Sequence, residues 1–149
     1  MNFEIKIYTD GGSRGNPGPS AAGWVVLSQG NILTKGSKYL GVGTNNQAEY
    51  KGVIQALDWL IKNKGSLQVK KINFFLDSEL VVRQLNGEYR IRDTELKNLS
   101  RKIINLQNIL GVGVIYESIL REKNRLADKL VNERLDMQKD KTSGKTSGT

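Results

Sequence analysis

The sequence contains no cysteine and no histidine among its 149 residues. Without cysteine there are no disulfides, no thiolate nucleophile and no thiolate zinc site. Without histidine there is no Ser–His–Asp triad and no imidazole that acts as a general acid or base. An enzyme with this composition must therefore use carboxylates, lysines, tyrosines or a metal ion held by oxygen ligands.

Long apolar runs are also missing. No segment reaches the roughly 18 apolar residues that are typical of a membrane span. Residues 1–6 alternate apolar and polar side chains and lack the apolar stretch of a secretory signal peptide. We therefore expect no membrane association and a cytoplasmic location, which the lack of cysteine also fits. The length and the 38% of hydrophobic residues predict one soluble domain with its own core.

Positive charge is plentiful. Lysine and arginine number 23 against 15 acidic residues, which gives a net charge of +8. Such an excess favours polyanionic partners, nucleic acid among them. Anionic membranes are a weaker interpretation, because the sequence has no strongly amphipathic basic helix.

The residue pattern predicts an ordered series of strands and helices. Alternating apolar residues predict strands over 3–9, 21–28 and 31–40, with a Gly- and Pro-rich loop over 11–19. A capping-box pattern at 44–47 precedes helical spacing that continues to residue 61. A strand follows over 71–76.

The second half of the chain continues the series. A helix is predicted from Ser78 with Leu80, Val81 and Leu85 facing inward, and another from Asp93 or Thr94. A last strand covers 112–119, and Asn124 is predicted to cap a final helix. The order β-β-β-α-β-α-α-β-α is typical of a mixed α/β sheet covered by helices. Residues 1–137 would form this domain, and the polar residues 138–149 a disordered tail.

Four acidic residues lie where predicted strands end or predicted helices begin: Asp10, Glu49, Asp77 and Asp128. Each alone has an ordinary explanation in turn formation or in the helix dipole. Together they indicate a cluster, because the carboxyl ends of neighbouring parallel strands converge on one crevice. Asp10 and Asp77 would meet there if the first and fourth strands are neighbours.

A carboxylate cluster indicates a hard cation. Its members repel one another unless a cation lies among them. Oxygen ligands select Mg²⁺ or Mn²⁺ over zinc or copper. Two such ions about 4 Å apart catalyse phosphodiester chemistry in many enzymes, and this reaction needs no histidine.

Four motifs resemble those of the type 1 ribonuclease H family and follow the family's order. They are residues 8–18 around Asp10, Thr44–Glu49, Leu76–Ser78 and Asn124–Asp128, and the resemblance covers residues 3–135. It implies the RNase H-like fold, a five-stranded mixed sheet of three antiparallel and two parallel strands flanked by helices. It also implies an endonuclease that hydrolyses the RNA strand of RNA–DNA hybrids and leaves 5′-phosphate and 3′-hydroxyl ends.

The resemblance also implies roles for individual residues. The four carboxylates would hold two Mg²⁺ ions, with Mn²⁺ able to substitute, and Glu49 would accept a hydrogen bond from a ribose 2′-hydroxyl. Thr44 would hold a DNA-strand phosphate, and three asparagines would reach into the minor groove. The full expected substrate-binding set is Ser13, Gly15, Asn16, Thr44, Asn45 and Asn46. The plainer interpretation is that residues 44–46 only cap a helix.

The sequence departs from the family pattern in two places. Many members carry a histidine in the loop before the last carboxylate. In this chain that loop is residues 120–123, which contain no histidine, and Arg121 is the preferred replacement. Arginine stabilises phosphate charge but cannot act as a base. Some relatives also have a basic, tryptophan-rich protrusion after the second helix. Here residues 87–93 offer only Arg90 and Arg92, so we expect no protrusion and weaker substrate binding, with Trp24 and Trp59 in the core.

Two other functions stay open from the sequence. One is a non-catalytic module that binds hybrid or double-stranded RNA, although four unneutralised carboxylates would repel phosphate. The other is a different nuclease on the same fold, since fold alone does not separate these activities. If the protein is an enzyme, double-stranded RNA is a further possible substrate. A monomer is the default expectation for its oligomeric state.

Overall fold

The computed structural model describes residues 4–147. Within that range the five strands are β1 (Glu4–Ser13), β2 (Gly18–Ser28), β3 (Asn31–Gly43), β4 (Lys71–Leu76) and β5 (Gly113–Ser118). The four α-helices of the same range are α1 (Asn45–Lys62), α2 (Glu79–Leu85), α3 (Thr94–Leu110) and α4 (Arg125–Ser147). The predicted element order is confirmed. Phe3, predicted to begin the first strand, lies outside the described residues.

The strands form one mixed sheet in the order β3-β2-β1-β4-β5. The pairs β1–β2 and β2–β3 are antiparallel, whereas β1–β4 and β4–β5 are parallel. The parallel pairs need crossover connections, which α1 and then α2 with α3 supply. The strands β1 and β4 are neighbours, which is the condition under which Asp10 and Asp77 were expected to meet.

The main core lies between the sheet and α1. Ile7 and Phe74 on the sheet and Val53 and Leu57 on α1 are fully buried. Each such side chain stabilises the fold by roughly 1.5–3 kcal/mol. Trp24 packs, half-buried, at the edge of this core, and Trp59 does the same. This packing fixes α1 against the sheet and thereby fixes the position of its first turn.

The other face of the sheet is covered by α4. Val131 and Leu135 of α4 pack against Ala21 of β2. The helix approaches closely because β2 carries glycine at position 23, where a Cβ atom would lie 2.7 Å from the carbonyl oxygen of Ala127. Among the described residues, none of the helices combines the length and the apolar character that crossing a membrane requires.

The first connection is shorter than the sequence predicts. Residues 11–19 were expected to form a loop, but β1 continues to Ser13 and β2 begins at Gly18. Gly11 pairs with Ala22 and Ser13 with Ser20. Glycine tolerates extended backbone, so its abundance here does not end the strand. Asp10 consequently lies inside β1 rather than at its end.

The inward face of α2 also differs from the prediction. Leu80 was expected to face inward, yet it is 43% exposed, while Val81 and Val82 are buried. Ser78 caps the helix through a hydrogen bond from the Val81 amide. Residues three and four positions apart share a helix face, so 78, 81, 82 and 85 face the core and 80 does not.

The last helix extends beyond its predicted end. A disordered tail was expected from residue 138, but α4 continues to Ser147, and residues 148 and 149 lie outside the described residues. Residues 125–141 contain neither glycine nor proline and consist largely of strong helix formers. A solvated helix can therefore continue without core contacts. The domain boundary at residue 137 stays a prediction.

Candidate metal and catalytic site

The sheet and α1 bring three acidic side chains to one place. Tyr8 of β1 pairs with Phe75 of the parallel strand β4. Two residues later, Asp10 lies within β1 and Asp77 directly follows the end of β4. Glu49 comes from the first turns of α1. One carboxylate oxygen from each of the three acids lies within 4.8 Å of the others.

Gly11 permits this close approach of helix and strand. A Cβ atom at Gly11 would lie 2.2 Å from the carbonyl carbon of Ala48 and 2.4 Å from the amide nitrogen of Glu49. The start of α1 is fixed by a complete capping box, in which Thr44 accepts from the Gln47 amide and Gln47 accepts from the Thr44 amide. Glu49 is therefore held rigidly against β1.

Two of the three carboxylates are almost completely buried from solvent. Asp10 is 7% exposed and Glu49 is 4% exposed. Burial, and then the charge of Asp77, raise the pKa of Asp10 to about 7. Burial, followed by the charges of Asp10 and Asp77, raises the pKa of Glu49 well above its ordinary value. The charged forms are costly here unless a cation compensates them.

An unpartnered oxygen supports the same conclusion. Oε1 of Glu49 is buried and has no hydrogen-bond partner within the described range. A buried acceptor without a partner costs about 1–3 kcal/mol. An oxygen-only donor set with an unsatisfied acceptor fits a hard divalent cation. The cluster of Asp10, Glu49 and Asp77 is thus compatible with divalent metal binding.

Asp128 approaches the cluster from α4. It lies outside the group of three, in the wall of the same cavity, and its charge also raises the pKa of Asp10. The amide of Asn132, one helical turn later, donates to Oδ1 of Asp128 at 3.3 Å and to its carbonyl oxygen at 3.0 Å. The fourth carboxylate is therefore positioned by its own helix.

Asn124 connects α4 to both parallel strands. Its side chain is 1% exposed, and its amide donates to the carbonyl oxygen of Thr9 at 2.8 Å and to Oδ2 of Asp77 at 3.3 Å. The sequence predicts Asn124 as a helix cap only. Its Oδ1 has no hydrogen-bond partner in the described part of the chain, so the side chain does not cap the helix. Instead, it holds the Asp77 carboxylate in place relative to β1.

The four carboxylates line a cavity of about 380 Å³. Of the residues expected to bind substrate, Ser13, Asn45 and Asn46 lie in its wall, while Gly15, Asn16 and Thr44 do not. Ser13 donates to Oδ1 of Asn45 through both its amide and its hydroxyl, and Oδ1 of Asn16 accepts from the Asn45 amide at 2.9 Å. The turn after β1 is thus fastened to the start of α1.

The remaining expected residues have clear positions. Gly15 adopts a φ of 98°, which a side chain would strain, so it shapes the turn. Thr44 caps α1. Arg121 begins a short 3₁₀ turn and lies exposed in the cavity wall, where the family pattern places a histidine. Residues 86–93 connect α2 directly to α3, so this described segment carries no protrusion, as the sequence predicts.

Sequence reasoning missed three residues that the structure brings to the site: Arg14, Asn124 as a carboxylate partner, and Asn132. One signal was available. Asn124, Asp128 and Asn132 recur every four residues and so share one face of α4. Arg14 lies in the first motif, but nothing in the sequence indicated that its side chain reaches α4.

Comparison with known proteins identifies the family. The family model described as reverse transcriptase-like matches residues 8–134. A ribonuclease HI of Halobacterium salinarum is 40% identical over 136 residues, which are 89% of this chain and 64% of that protein. A bifunctional protein of Mycobacterium tuberculosis is 35% identical over 136 residues, 90% of this chain. The chain spans only 36% of the length of that relative.

Solved structures agree with these matches. LC11-RNase H1, which was crystallised in complex with an RNA/DNA hybrid, is 41% identical, covers 90% of this chain and 98% of its own, and has a TM-score of 0.85. The N-terminal RNase H domain of the Mycobacterium tuberculosis protein, solved as a fusion, is 32% identical with a TM-score of 0.85 and covers 95% and 99%. The chain therefore belongs to the type 1 ribonuclease H family.

Proposed function

We propose that this protein is an endonuclease that hydrolyses the RNA strand of RNA–DNA hybrids and leaves 5′-phosphate and 3′-hydroxyl ends. The observation that carries the proposal is the convergence of three carboxylates, one with a buried unpartnered oxygen, in an open cavity. The names of the relatives and the hybrid bound to LC11-RNase H1 support the substrate class. The net charge of +8 favours a polyanionic substrate.

We assign the metal site to Asp10, Glu49, Asp77 and Asp128. Mg²⁺ is the proposed ion, bound as a pair, with Mn²⁺ able to substitute, because all four donors are carboxylates. Bound divalent cations supply Lewis-acid chemistry to a phosphodiester, which means activation of water and neutralisation of the leaving oxygen. The chain itself contributes four positioned carboxylates, of which Asp10 and Glu49 are buried from water, and such a fixed ligand set favours electrostatic stabilisation of the reaction.

Other residues of the cavity contribute to substrate handling. Asn45 and Asn46, at the start of α1, are assigned to the minor groove. Their place in the cavity wall beside Ser13 supports this assignment, and Asn16 holds Asn45 there. Thr44 is assigned to a DNA-strand phosphate, in addition to its capping role. Arg121 is assigned to a phosphate near the cut, because its cation is permanent at any working pH.

We also propose that the protein acts as a cytoplasmic monomer. The lack of cysteine supports a reducing compartment. The competing function, a binding module without catalysis, conflicts with the charge of the cavity, since four carboxylates without cations would repel a phosphate backbone. Double-stranded RNA is kept as a further substrate to be tested.

The test is cleavage of one end-labelled RNA–DNA hybrid with Mg²⁺, with Mn²⁺ and with EDTA. Matched DNA–DNA, RNA–RNA and single-stranded RNA molecules serve as controls. We expect metal-dependent internal cuts in the RNA of the hybrid, with 5′-phosphate ends. Binding of the hybrid without cleavage under both metals would refute the enzyme and favour the binding module. Cleavage of the DNA strand would favour a different nuclease of this fold.

A further inference from the structure

Arg14 carries a permanent cation in the wall of the carboxylate cavity. It lies in the turn between β1 and β2, where its amide donates to the carbonyl oxygen of Pro19 at 2.8 Å. Its guanidinium group crosses to α4, where Nη2 is 2.7 Å from Oδ1 of Asp136 and 3.4 Å from the carbonyl oxygen of Asn132. Arg14 and Arg121 are the two arginines of this cavity within the described range.

The ion pair of Arg14 is weak enough to exchange. The two side chains are 40% and 61% exposed. Exposed ion pairs contribute only about 0–1 kcal/mol, because water and salt screen them. An arginine and a phosphate form a stronger pair, since the planar guanidinium fits phosphate oxygens with two parallel hydrogen bonds. A phosphate that enters the cavity can therefore compete with Asp136 for Arg14.

The ion pair of Arg14 and Asp136 lies next to the part of α4 that carries Asp128. Asn132, whose carbonyl oxygen lies near Arg14, also holds the Asp128 carboxylate through its side chain. Four residues of helix separate Asp128 from Asn132, a rise of about 6 Å. Arg14 thus lies near the carboxylates but beyond them along α4. A backbone phosphate next to the scissile one would lie within its reach.

We infer that Arg14 is a phosphate-binding residue for the hybrid, and that Asp136 occupies its guanidinium group until a phosphate of the substrate displaces it. This inference rests on the proposed function and extends it, because it names a substrate contact outside the substrate-binding set that the resemblance implies. Arg14 also gives the cavity a second cation beside Arg121. This matters because the chain lacks the family histidine and the basic protrusion.

A different role for Arg14 would be purely structural, a latch that ties the turn after β1 to α4. The two roles make opposite predictions for a double-mutant cycle of Arg14→Gln and Asp136→Asn. If Arg14 binds phosphate, the loss of Asp136 frees it, and Arg14→Gln then weakens binding more than in the parent. If Arg14 is only a latch, its removal costs nothing once Asp136 has gone.

The experiment measures binding of an intact hybrid by the Asp10→Asn protein in Mg²⁺, across a salt series. Arg14→Gln, Arg14→Lys, Asp136→Asn and the double variant are introduced in this background. Lys62→Gln is the matched control for the loss of one positive charge, since Lys62 ends α1 about 25 Å from its first residue. Melting temperatures establish that every variant is folded.

We expect Arg14→Gln to weaken binding on the order of tenfold. The slope of log K against log salt should fall by about one, as for the loss of one phosphate contact. Arg14→Lys should keep the slope and lose part of the affinity. Asp136→Asn should tighten binding, and Arg14→Gln should then cost more than tenfold. In the active protein, Arg14→Gln should raise KM and leave kcat unchanged.

Two outcomes would overturn the inference. One is an Arg14→Gln variant that matches Lys62→Gln in affinity and slope. The other is an Arg14→Gln substitution without effect in the Asp136→Asn background, which would establish the latch. Neither result affects the proposed function, which fails separately if the Asp10→Asn parent does not bind the hybrid and the wild-type protein does not cleave it.

Discussion

The two sides of the cavity differ in how much water reaches them. On the sheet side, Asp10 and Glu49 are 7% and 4% exposed, and Glu49 keeps a buried oxygen with no partner in the described part of the chain. On the helix side, Asp128 is half-buried, and an exposed asparagine, Asn132, holds its carboxylate. Asp77, the third ligand of the sheet side, is half-buried, but Asp10 and Glu49 are dehydrated, whereas solvent reaches the helix side.

This difference separates two tasks. Dehydrated carboxylates repel one another strongly, so they gain most from a cation and lose most when one of them is removed. Solvated groups are screened, and their loss is more easily tolerated. We therefore expect substitutions on the sheet side to act on metal binding and turnover, and substitutions on the helix side to act more on substrate handling.

The largest expected effect compares Asp10 with Asp128. Asp10→Asn should lower the cleavage rate by about 1,000-fold or more, because it removes a metal ligand worth several kcal/mol. Glu49→Gln and Asp77→Asn should behave in the same way. Asp128→Asn keeps its shape and can still accept from Asn132, so a loss of roughly 10- to 100-fold is expected. Single-turnover cleavage of the hybrid measures both, and equal losses would refute the proposed asymmetry.

The next effect concerns the contact that brings Glu49 to the sheet. Gly11→Ala should destabilise the protein by about 3 kcal/mol, because its Cβ atom would collide with the backbone of α1. Gly12→Ala is the matched control, since its Cβ atom would lie 3.8 Å from Oδ1 of Asn45. The control should change stability by less than about 0.5 kcal/mol. Urea unfolding measures both, and a Gly11→Ala protein of normal stability would contradict the close approach.

A third comparison uses the two asparagines that hold carboxylates. Asn124→Ala should cost about 2 kcal/mol of stability and about tenfold in turnover, because a buried donor to Thr9 and Asp77 is lost. Asn132→Ala should cost less than about 0.5 kcal/mol, since its side chain is exposed. Thermal unfolding with parallel cleavage assays tests this pair. If Asn132→Ala lost more stability than Asn124→Ala, the difference in solvation between the sheet side and the helix side would be wrong.

The smallest effect is a pH dependence of the metal-free protein. The pKa of Asp10 is raised from 3.8 to about 7 in the folded state, so the folded form binds more protons than the unfolded form between these values. This carboxyl therefore makes stability fall as pH rises through that window. In EDTA at pH 8, Asp10→Asn should melt roughly 5 °C higher than the wild type. At pH 4 the difference should vanish, and a constant difference would show that ionisation is not its cause.

Sequence patterns predicted the parts of the site that depend on local structure. Asp77 after a buried strand and Glu49 behind a capping box both lie where the sequence predicts them. The adjacency of β1 and β4 was only a condition for the meeting of Asp10 and Asp77, and the structure fulfils it. Backbone pairing of Gly11 and Gly12 was not predicted, because glycine is compatible with both strand and turn. Leu80 was predicted to face inward and faces outward, because a shift of one residue in the buried face of α2 exchanges Leu80 for Val82.

The contacts of Asn124 and Arg14 could not be predicted. Asn124 reaches Thr9 across 115 positions of sequence, and Arg14 reaches Asn132 across 118. Such contacts depend on how α4 packs across the sheet, which no local pattern encodes. The helix beyond residue 137 was missed for another reason, because a polar composition is compatible with both a disordered tail and a solvated helix.

The most direct test of the metal assignment is a Mn²⁺ titration followed by the electron paramagnetic resonance signal of the free ion. The wild-type protein should deplete this signal in a saturable way. Asp10→Asn should weaken the binding by at least about tenfold, and Asp128→Asn by less. Equal depletion by the wild type and by Asp10→Asn would contradict the claim that the cluster of Asp10, Glu49 and Asp77 holds the metal.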